Sequence, residues 1–220
     1  MTSFTIGDLL YANPLAGEAD VRDFVREGPA TLTFPHGHLR LEGGAAVGEN
    51  FLLWCPETFP ADIAVSWDFR PLTDAGLAMC WFAATGRQGE DLFSPTLRPR
   101  AGHYPQYFDG DINAFHLSYY RRNPGEIEFR TCNLRKSHGF HLVCQGGDPL
   151  PDACYARDFY RIQVVKCGAH VQFAINNLPL LHWQDDGVTH GPLLGGGKFG
   201  FRQMAGLIAD YANLTVHAVG

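Results

Sequence analysis

A two-sheet antiparallel β-sandwich is the fold this sequence predicts, and three observations predict it. Apolar runs are short and many alternate with period two, the pattern of strands with one buried face. Glycine, proline, aspartate and asparagine punctuate them at intervals of roughly 8 to 12 residues, as in sandwiches and barrels, and the chain carries 25 glycines and 14 prolines. Helical spacing is confined to a short piece near residues 18–27. At 220 residues an all-β domain commonly remains undivided, so one domain over 1–220 is expected.

In chain order, IGDLLY and EADVRDFVREG, the latter with Val21, Phe24 and Val25 at helical spacing, read as the helical pieces. ATLTF, LRLEG, DIAVSWDFRPL and GLAMCWFAATG then read as strands. AFHLSYYRR, GEIEFRTC and FHLVCQG continue the series, with CNLRKSHGF crossing between the last two. YRIQVVKCG, a turn at Gly168, AHVQFAINN, a turn at Asn176–Asn177 and LPLLHWQDD form a meander. GKFGFRQM and ANLTVHAV finish the chain, the last strand returning beside the first ones and leaving few open edges.

Hydrophobic residues make up 45% and charged ones 18%, which suits a folded domain. A net charge of −6 opposes phosphate-backbone binding, so nucleic acid is not an expected partner. No apolar stretch is long enough to span a bilayer and the opening residues lack a secretory pattern, so a soluble, cytoplasmic protein is expected. Six cysteines are scattered without a CxxC pair and read as reduced, structural residues.

The ending FAINNLPL, GKFGFRQ and YANLTVHAV resembles the concanavalin A-like lectin/glucanase superfamily. A narrower resemblance covers most of the chain. LYANPL, LLWCPETFP, GLAMCWFAATGRQGEDLFSPTLRPR, YPQYFDGDINAFHLSYYRRNPGE, CNLRKSHGFHLVCQGGDPLP and FGFRQMAGLIADYANLTV look like the YesU-like family of bacterial proteins. The resemblance implies a two-sheet jelly roll, a saccharide groove on the concave outer face of one sheet and an association with pectin-type polysaccharide. It implies no settled activity.

Alternation places His116, Ser118, Tyr120 and Arg122 of HLSYYRR on one strand face. Glu126, Glu128 and Arg130 of EIEFRTC, and His141, Val143 and Gln145 of FHLVCQG, take the outward faces of their strands. If these strands share a sheet, a cluster suited to an acidic sugar results. Arginine holds a carboxylate with paired hydrogen bonds, and histidine or tyrosine moves a proton near neutral pH. The assignment is Arg122 or Arg130 for the carboxylate, His116 or His141 as base and Tyr120 as acid in β-elimination. Hydrolysis needs two flanking carboxylates, for which Glu126 and Glu128 are on offer. Asn133, Arg135, Lys136 and His138 would form a cationic specificity loop. Among aromatics that stack on sugar faces, Trp81, Tyr104, Tyr107, Tyr120 and Trp183 are the candidates, and Trp54 and Trp67 read as core. Arg202, in GKFGFRQ, joins the ligand-binding set.

No nucleotide or redox cofactor motif is present. Asp109, Asp111 and Asn113 in FDGDIN are oxygen ligands that suit a structural calcium, though an Asp-Gly turn is the simpler reading. His36 with His38 lacks a third zinc ligand, so no metal set is assigned. Three functions follow: a carbohydrate-active enzyme, lyase or hydrolase, for an acidic or pectin-derived saccharide; a non-catalytic carbohydrate-binding module; and a structural protein, with room for a homo-oligomer, whose polar cluster is an ion-pair network.

Overall fold

The structure, a computed structural model, describes residues 4–44, 46, 48–123 and 130–220. Its strands are β1 (Ile6–Asn13), β2 (Val25–Glu27), β3 (Ala30–Thr33), β4 (Leu39–Gly43), β5 (Phe51–Phe59), β6 (Ile63–Pro71), β7 (Gly76–Gly86) and β8 (Ile112–Arg122). They continue with β9 (Thr131–Ser137), β10 (His141–Gly147), β11 (Tyr160–Cys167), β12 (His170–Ile175), β13 (Leu178–Gln184), β14 (Gly197–Gln203) and β15 (Ile208–Val219). The helical content among the described residues is slight: three 3-10 turns and one helical turn, α1 (Pro105–Phe108).

One sheet of eight strands runs β13-β12-β11-β6-β15-β4-β3, with β1 also paired to β15. The other has seven strands in the order β10-β9-β8-β7-β14-β5-β2. All pairings between these strands are antiparallel. The expected sandwich is therefore present, and β15 does return beside β1, β4 and β6. The meander β11-β12-β13 turns at Gly168 and at Asn176–Asn177, both asparagines having positive φ. Asparagine tolerates that left-handed backbone better than most residues.

The core lies between the sheets, with Trp67, Phe69, Tyr119, Phe199, Phe201 and Tyr211 among its rings. Burying a large apolar side chain contributes roughly 1.5–3 kcal/mol. Cys55, Cys80 and Cys132 are free and buried, and burial pushes the Cys55 thiol up to about 11, as for inert core cysteines.

Two expected helices fail. IGDLLY is strand β1, and EADVRDFVREG gives only a 3-10 turn over Glu18–Val21 before Val25–Glu27 enters β2. Both lie at sheet edges, where pairing with β15 and β5 decides the backbone against weak local propensity. β5 went unread because its first five residues are all buried; with both faces covered it shows no alternation.

Candidate functional site

A second apolar cluster, separate from the main core, lies on the outer face of the seven-stranded sheet: Leu52, Trp54, Trp81, Ala84, Leu92, Tyr107, Ile112 and Ala114. Strand register explains it. Cross-strand partners align Val25, Trp54, Gly200, Trp81, His116, Arg135 and Leu142 in one row across β2, β5, β14, β7, β8, β9 and β10. A parallel row holds Glu27, Leu52, Arg202, Met79, Ser118, Asn133 and Gln145. Gly200 leaves room for the indole beside it, since a Cβ there would lie 2.5 Å from the Trp54 ring.

The half of this face nearest β2 is covered by the chain itself. The connection between β7 and β8 lays Leu92, Phe93, Leu97, Tyr104 and Tyr107 on the cluster. Arg100 anchors it through Nη2 to Glu27, 2.8 Å, and the same carboxylate accepts Trp54 Nε1 at 3.0 Å. Gly102 passes so close to β5 that a Cβ would fall 2.0 Å from the Asn50 carbonyl oxygen, and its φ of +88° also requires glycine. Arg202 is fully buried underneath. Its Nη2 donates to the Gly102 carbonyl at 2.9 Å, and its guanidinium lies 4.7 Å from the Tyr104 ring and 5.0 Å from the Tyr107 ring. Its Nε and Nη1, like Trp81 Nε1, have no hydrogen-bond partner among the described residues.

His116 sits at the boundary between the covered and open halves. It stacks on Trp81 at 4.2 Å, faces Phe140 at 5.9 Å and meets the Tyr104 hydroxyl through Nε2 at 3.2 Å. Burial holds its pKa well below the ordinary histidine value, with Arg135 and Arg202 pushing the same way, so the ring is neutral at pH 7. Burial also pushes the Tyr104 phenol up to about 12, against the pull of Arg202 and Arg135.

Beyond His116 the face is open over β9 and β10. Arg135 lies with its guanidinium 3.9 Å from the Phe140 ring centroid and donates to the Phe140 carbonyl at 3.0 Å. Gln145 donates to Asn133 Oδ1 at 2.8 Å. Phe140 and Leu142 are 43% and 42% exposed, which makes this the apolar part of the open surface. Arg135 joins no ion pair among the described residues.

The fold thus brings together Trp81, Tyr107, His116, Asn133, Arg135, Gln145 and Arg202 from the expected set, although Tyr107 and Trp81 are fully buried and offer no face to a sugar. Others are corrected. A bulge in the β7–β8 pairing between Ser118 and Tyr120 turns both Tyr119 and Tyr120 toward the main core and reverses the alternation beyond. Tyr120 donates to the Thr73 carbonyl and Asp74, and Arg122 is locked to Asp148 at 2.8 Å and Asp152 at 3.0 Å. Arg130 joins the same network through Asp152 at 2.6 Å. CNLRKSHGF is mostly strand β9 rather than a loop, so Lys136 points opposite to Arg135 and forms a buried pair with Asp185, 2.6 Å. A second bulge, between Leu142 and Cys144, places His141 level with Lys136, where it stacks on His190 at 4.5 Å. The His138 amide donates to Asn113 at the turn. Glu126 and Glu128 lie outside the described residues. Trp54 is buried as expected, but on the outer face. Asp111 accepts from the Arg98 backbone and guanidinium, and no group of three or more metal-ligating side chains occurs among the described residues. Phe140 and Leu142, which alternation assigned to the core, belong to the open face; the β10 bulge hid them.

Residues 8–216 match the family model described as a domain of unknown function, DUF1961. The uncharacterized protein YesU of Bacillus subtilis strain 168 is 51% identical over 212 residues, 96% of each chain. A crystal structure of a Bacillus subtilis protein of unknown function with a galectin-like fold superposes with a TM-score of 0.95 at 50% identity, covering 99% of each chain. The carbohydrate binding module CBM66 from the same organism superposes at a TM-score of 0.55 with 10% identity, over 89% of this chain and 96% of its own. That last likeness shows a shared fold alone.

Proposed function

The chain belongs to the DUF1961 family, and from that premise we propose that the open half of the outer face binds a saccharide carrying a carboxylate or sulfate, as pectin-derived uronates do. The observation that carries the reading is Arg135, whose guanidinium carbon lies 3.9 Å from the Phe140 ring centroid and which has no carboxylate partner among the described residues. Stacking fixes the fork, so little entropy is lost when it takes an anionic oxygen pair. The Phe140 ring and Leu142 offer apolar contact to a sugar face, and Asn133 with Gln145 offers amide donors and acceptors to hydroxyls. The CBM66 likeness supports a saccharide as ligand class. Calorimetric titration with oligogalacturonates and with neutral galacto-oligosaccharides tests it. Binding of the acidic series alone, lost in Arg135→Ala, is expected; binding of neither series sinks the reading.

A lyase is the second reading, favoured by the Tyr104 hydroxyl against His116 Nε2. In β-elimination the C5–H bond breaks, its proton goes to a base, the C4–O bond breaks as the C4–C5 double bond forms, and the leaving oxygen takes a proton. In this reading Tyr104 supplies that last proton. His116, enclosed by Trp81, Tyr104 and Phe140, is badly placed to reach C5–H, so binding is the first reading. Growth of unsaturated-uronate absorbance, absent in Tyr104→Phe, would reverse that order.

A further inference from the structure

One flank of the sandwich is open. β2 ends the seven-stranded sheet and β3 ends the eight-stranded one, at the opposite edges from β10 and β13. Alongside them runs a groove of about 960 Å³ whose lining includes Arg22, Arg26, Val21, Leu32 and Phe34. A smaller cavity of about 260 Å³ shares Arg26, Ala30 and Thr31 and carries the groove on to Gly43 and Gly44. The apolar lining is the fringe of the main core: Ala30, Leu32 and Phe34 pack against it while staying partly exposed.

Two features set this flank apart. The first is a strand edge with no further strand paired to it, although the Ala30 carbonyl at its start accepts from Arg26. β3, sequence ATLT, is bonded to β4 on one side and has no further strand on the other. It contains no proline, charge or bulge of the kind that blocks addition of another strand. The second is charge. Arg22 forms no hydrogen bond or ion pair among the described residues, and Arg26 spends only Nη1, on the Ala30 carbonyl at 2.8 Å. Against these two guanidiniums the lining offers one carboxylate, Glu18, in a chain whose net charge is −6.

We propose that this flank docks an extended acidic peptide segment of another protein, with apolar side chains interspersed, which adds to β3 as a further strand. Main-chain hydrogen bonds to a free edge give affinity in that mode, and pockets beside the edge give selectivity. Here the apolar side chains cover Val21, Leu32 and Phe34 and the carboxylates meet Arg22 and Arg26. A second copy of this chain is disfavoured, because two such flanks facing each other juxtapose four guanidiniums. A saccharide leaves the strand edge unused and sets hydroxyls against the apolar lining. The inference is independent of the saccharide reading, which concerns the other end of the sheet.

Fluorescence anisotropy with a fluorescein-labelled peptide of four Glu-Val repeats tests it, with Lys-Val repeats and an N-methylated Glu-Val peptide as controls. Saturable binding of the Glu-Val peptide is expected, weakened at least tenfold in Arg22→Glu/Arg26→Glu, weakened by added salt, and absent for both controls. Both arginines are on the surface, and an unchanged melting temperature of the double variant confirms that its fold is retained. Equal binding of the N-methylated peptide, binding undiminished in the double variant, no binding at millimolar protein, displacement by oligogalacturonate, or a wild-type dimer that the double variant dissolves would each overturn the proposal.

Discussion

The two outer faces of the sandwich use arginine in opposite ways. On the eight-stranded sheet each arginine of the face has a carboxylate: Arg40 and Arg70 share Asp210 at 2.8 and 2.7 Å, and Arg161 reaches Asp68 at 3.1 Å. On the seven-stranded sheet Arg135 and Arg202 have none among the described residues; they lie on aromatic rings instead. The first face is electrostatically closed and serves the fold. The second leaves positive charge without a carboxylate, the property on which the proposed saccharide site rests. The contrast recurs within β9, where Arg135 faces out and Lys136, one residue on, faces in to Asp185.

Lys136→Ala is the sharpest test of that division and carries the largest expected effect. It strands Asp185, whose side chain is 3% exposed, and breaking a buried pair by removing one partner costs about 3–5 kcal/mol. Lys136 Nζ also donates to the Gly191 and Pro192 carbonyls, so the segment before β14 loses its tether. Urea denaturation is the measurement. A loss below about 1 kcal/mol would mean that this pair is not what holds the segment.

Asp210→Asn comes next, at roughly 1.5–3 kcal/mol for charge-assisted hydrogen bonds, since Arg40 and Arg70 remain 30% and 25% exposed and rehydrate. Burial pushes the Asp210 carboxyl up, but the hydrogen bonds from Arg40 and Arg70 outweigh it and leave the pKa below the usual range. A lowered folded pKa contributes stability that is present above the unfolded value, about 3.9, and is lost as pH falls through the folded one. The variant's deficit should therefore shrink in acid below about pH 4 and persist at pH 7.

His116 supplies the third test, on the other face. Its folded pKa lies well below its ordinary value, first from burial and then from Arg135 and Arg202. Unfolded chains take up this proton near pH 6.5 and the folded protein does not, so stability falls as pH drops through about 6.5, with a slope that approaches about 1.4 kcal/mol per pH unit from this one group only once the unfolded histidine is fully protonated. Denaturation curves at pH 7.5, 6.5 and 5.5 should show a small loss over the first step and about 1 kcal/mol over the second, both removed in His116→Gln. An equal slope in both proteins would place the acid sensitivity at other histidines.

What the sequence disclosed follows from where alternation survives. β12 alternates cleanly in burial, and β6 and β11 carry alternating polar and apolar residues over VSWDFR and RIQV although neither alternates in burial throughout; the sandwich and its meander were legible from these. β5 and β14, covered on both faces, carry near-continuous burial; both fall in segments that carry the family resemblance, but only β14 was read as a strand. The site was half legible. His116 and Gln145 keep the phase of their strands, and Asn133 and Arg135, expected on a loop, lie on β9 instead, whereas Tyr120, Arg122 and His141 lie past bulges that a period-two reading cannot see. The covering segment from Leu92 to Tyr107 is irregular chain, and its docking on β5, β7 and β14 depends on long-range contacts that local pattern does not encode.

Arg135→Ala should barely touch stability, by no more than about 0.5 kcal/mol, yet it is the variant on which the comparison turns. The side chain has one backbone hydrogen bond and a ring beneath it, so its removal strands no buried charge, unlike Lys136→Ala. If its charge is held for a ligand, affinity for an oligogalacturonate should fall at least tenfold, about 1.4 kcal/mol, with the melting temperature unmoved. Arg135→Lys separates charge from geometry: lysine keeps the charge but loses the planar fork and its stacking, so recovery of less than half the lost binding energy identifies the bidentate contact as the source. A melting temperature that falls with Arg135→Ala as far as with Lys136→Ala would erase the distinction between the two sides of β9, and with it the reason to place a ligand there.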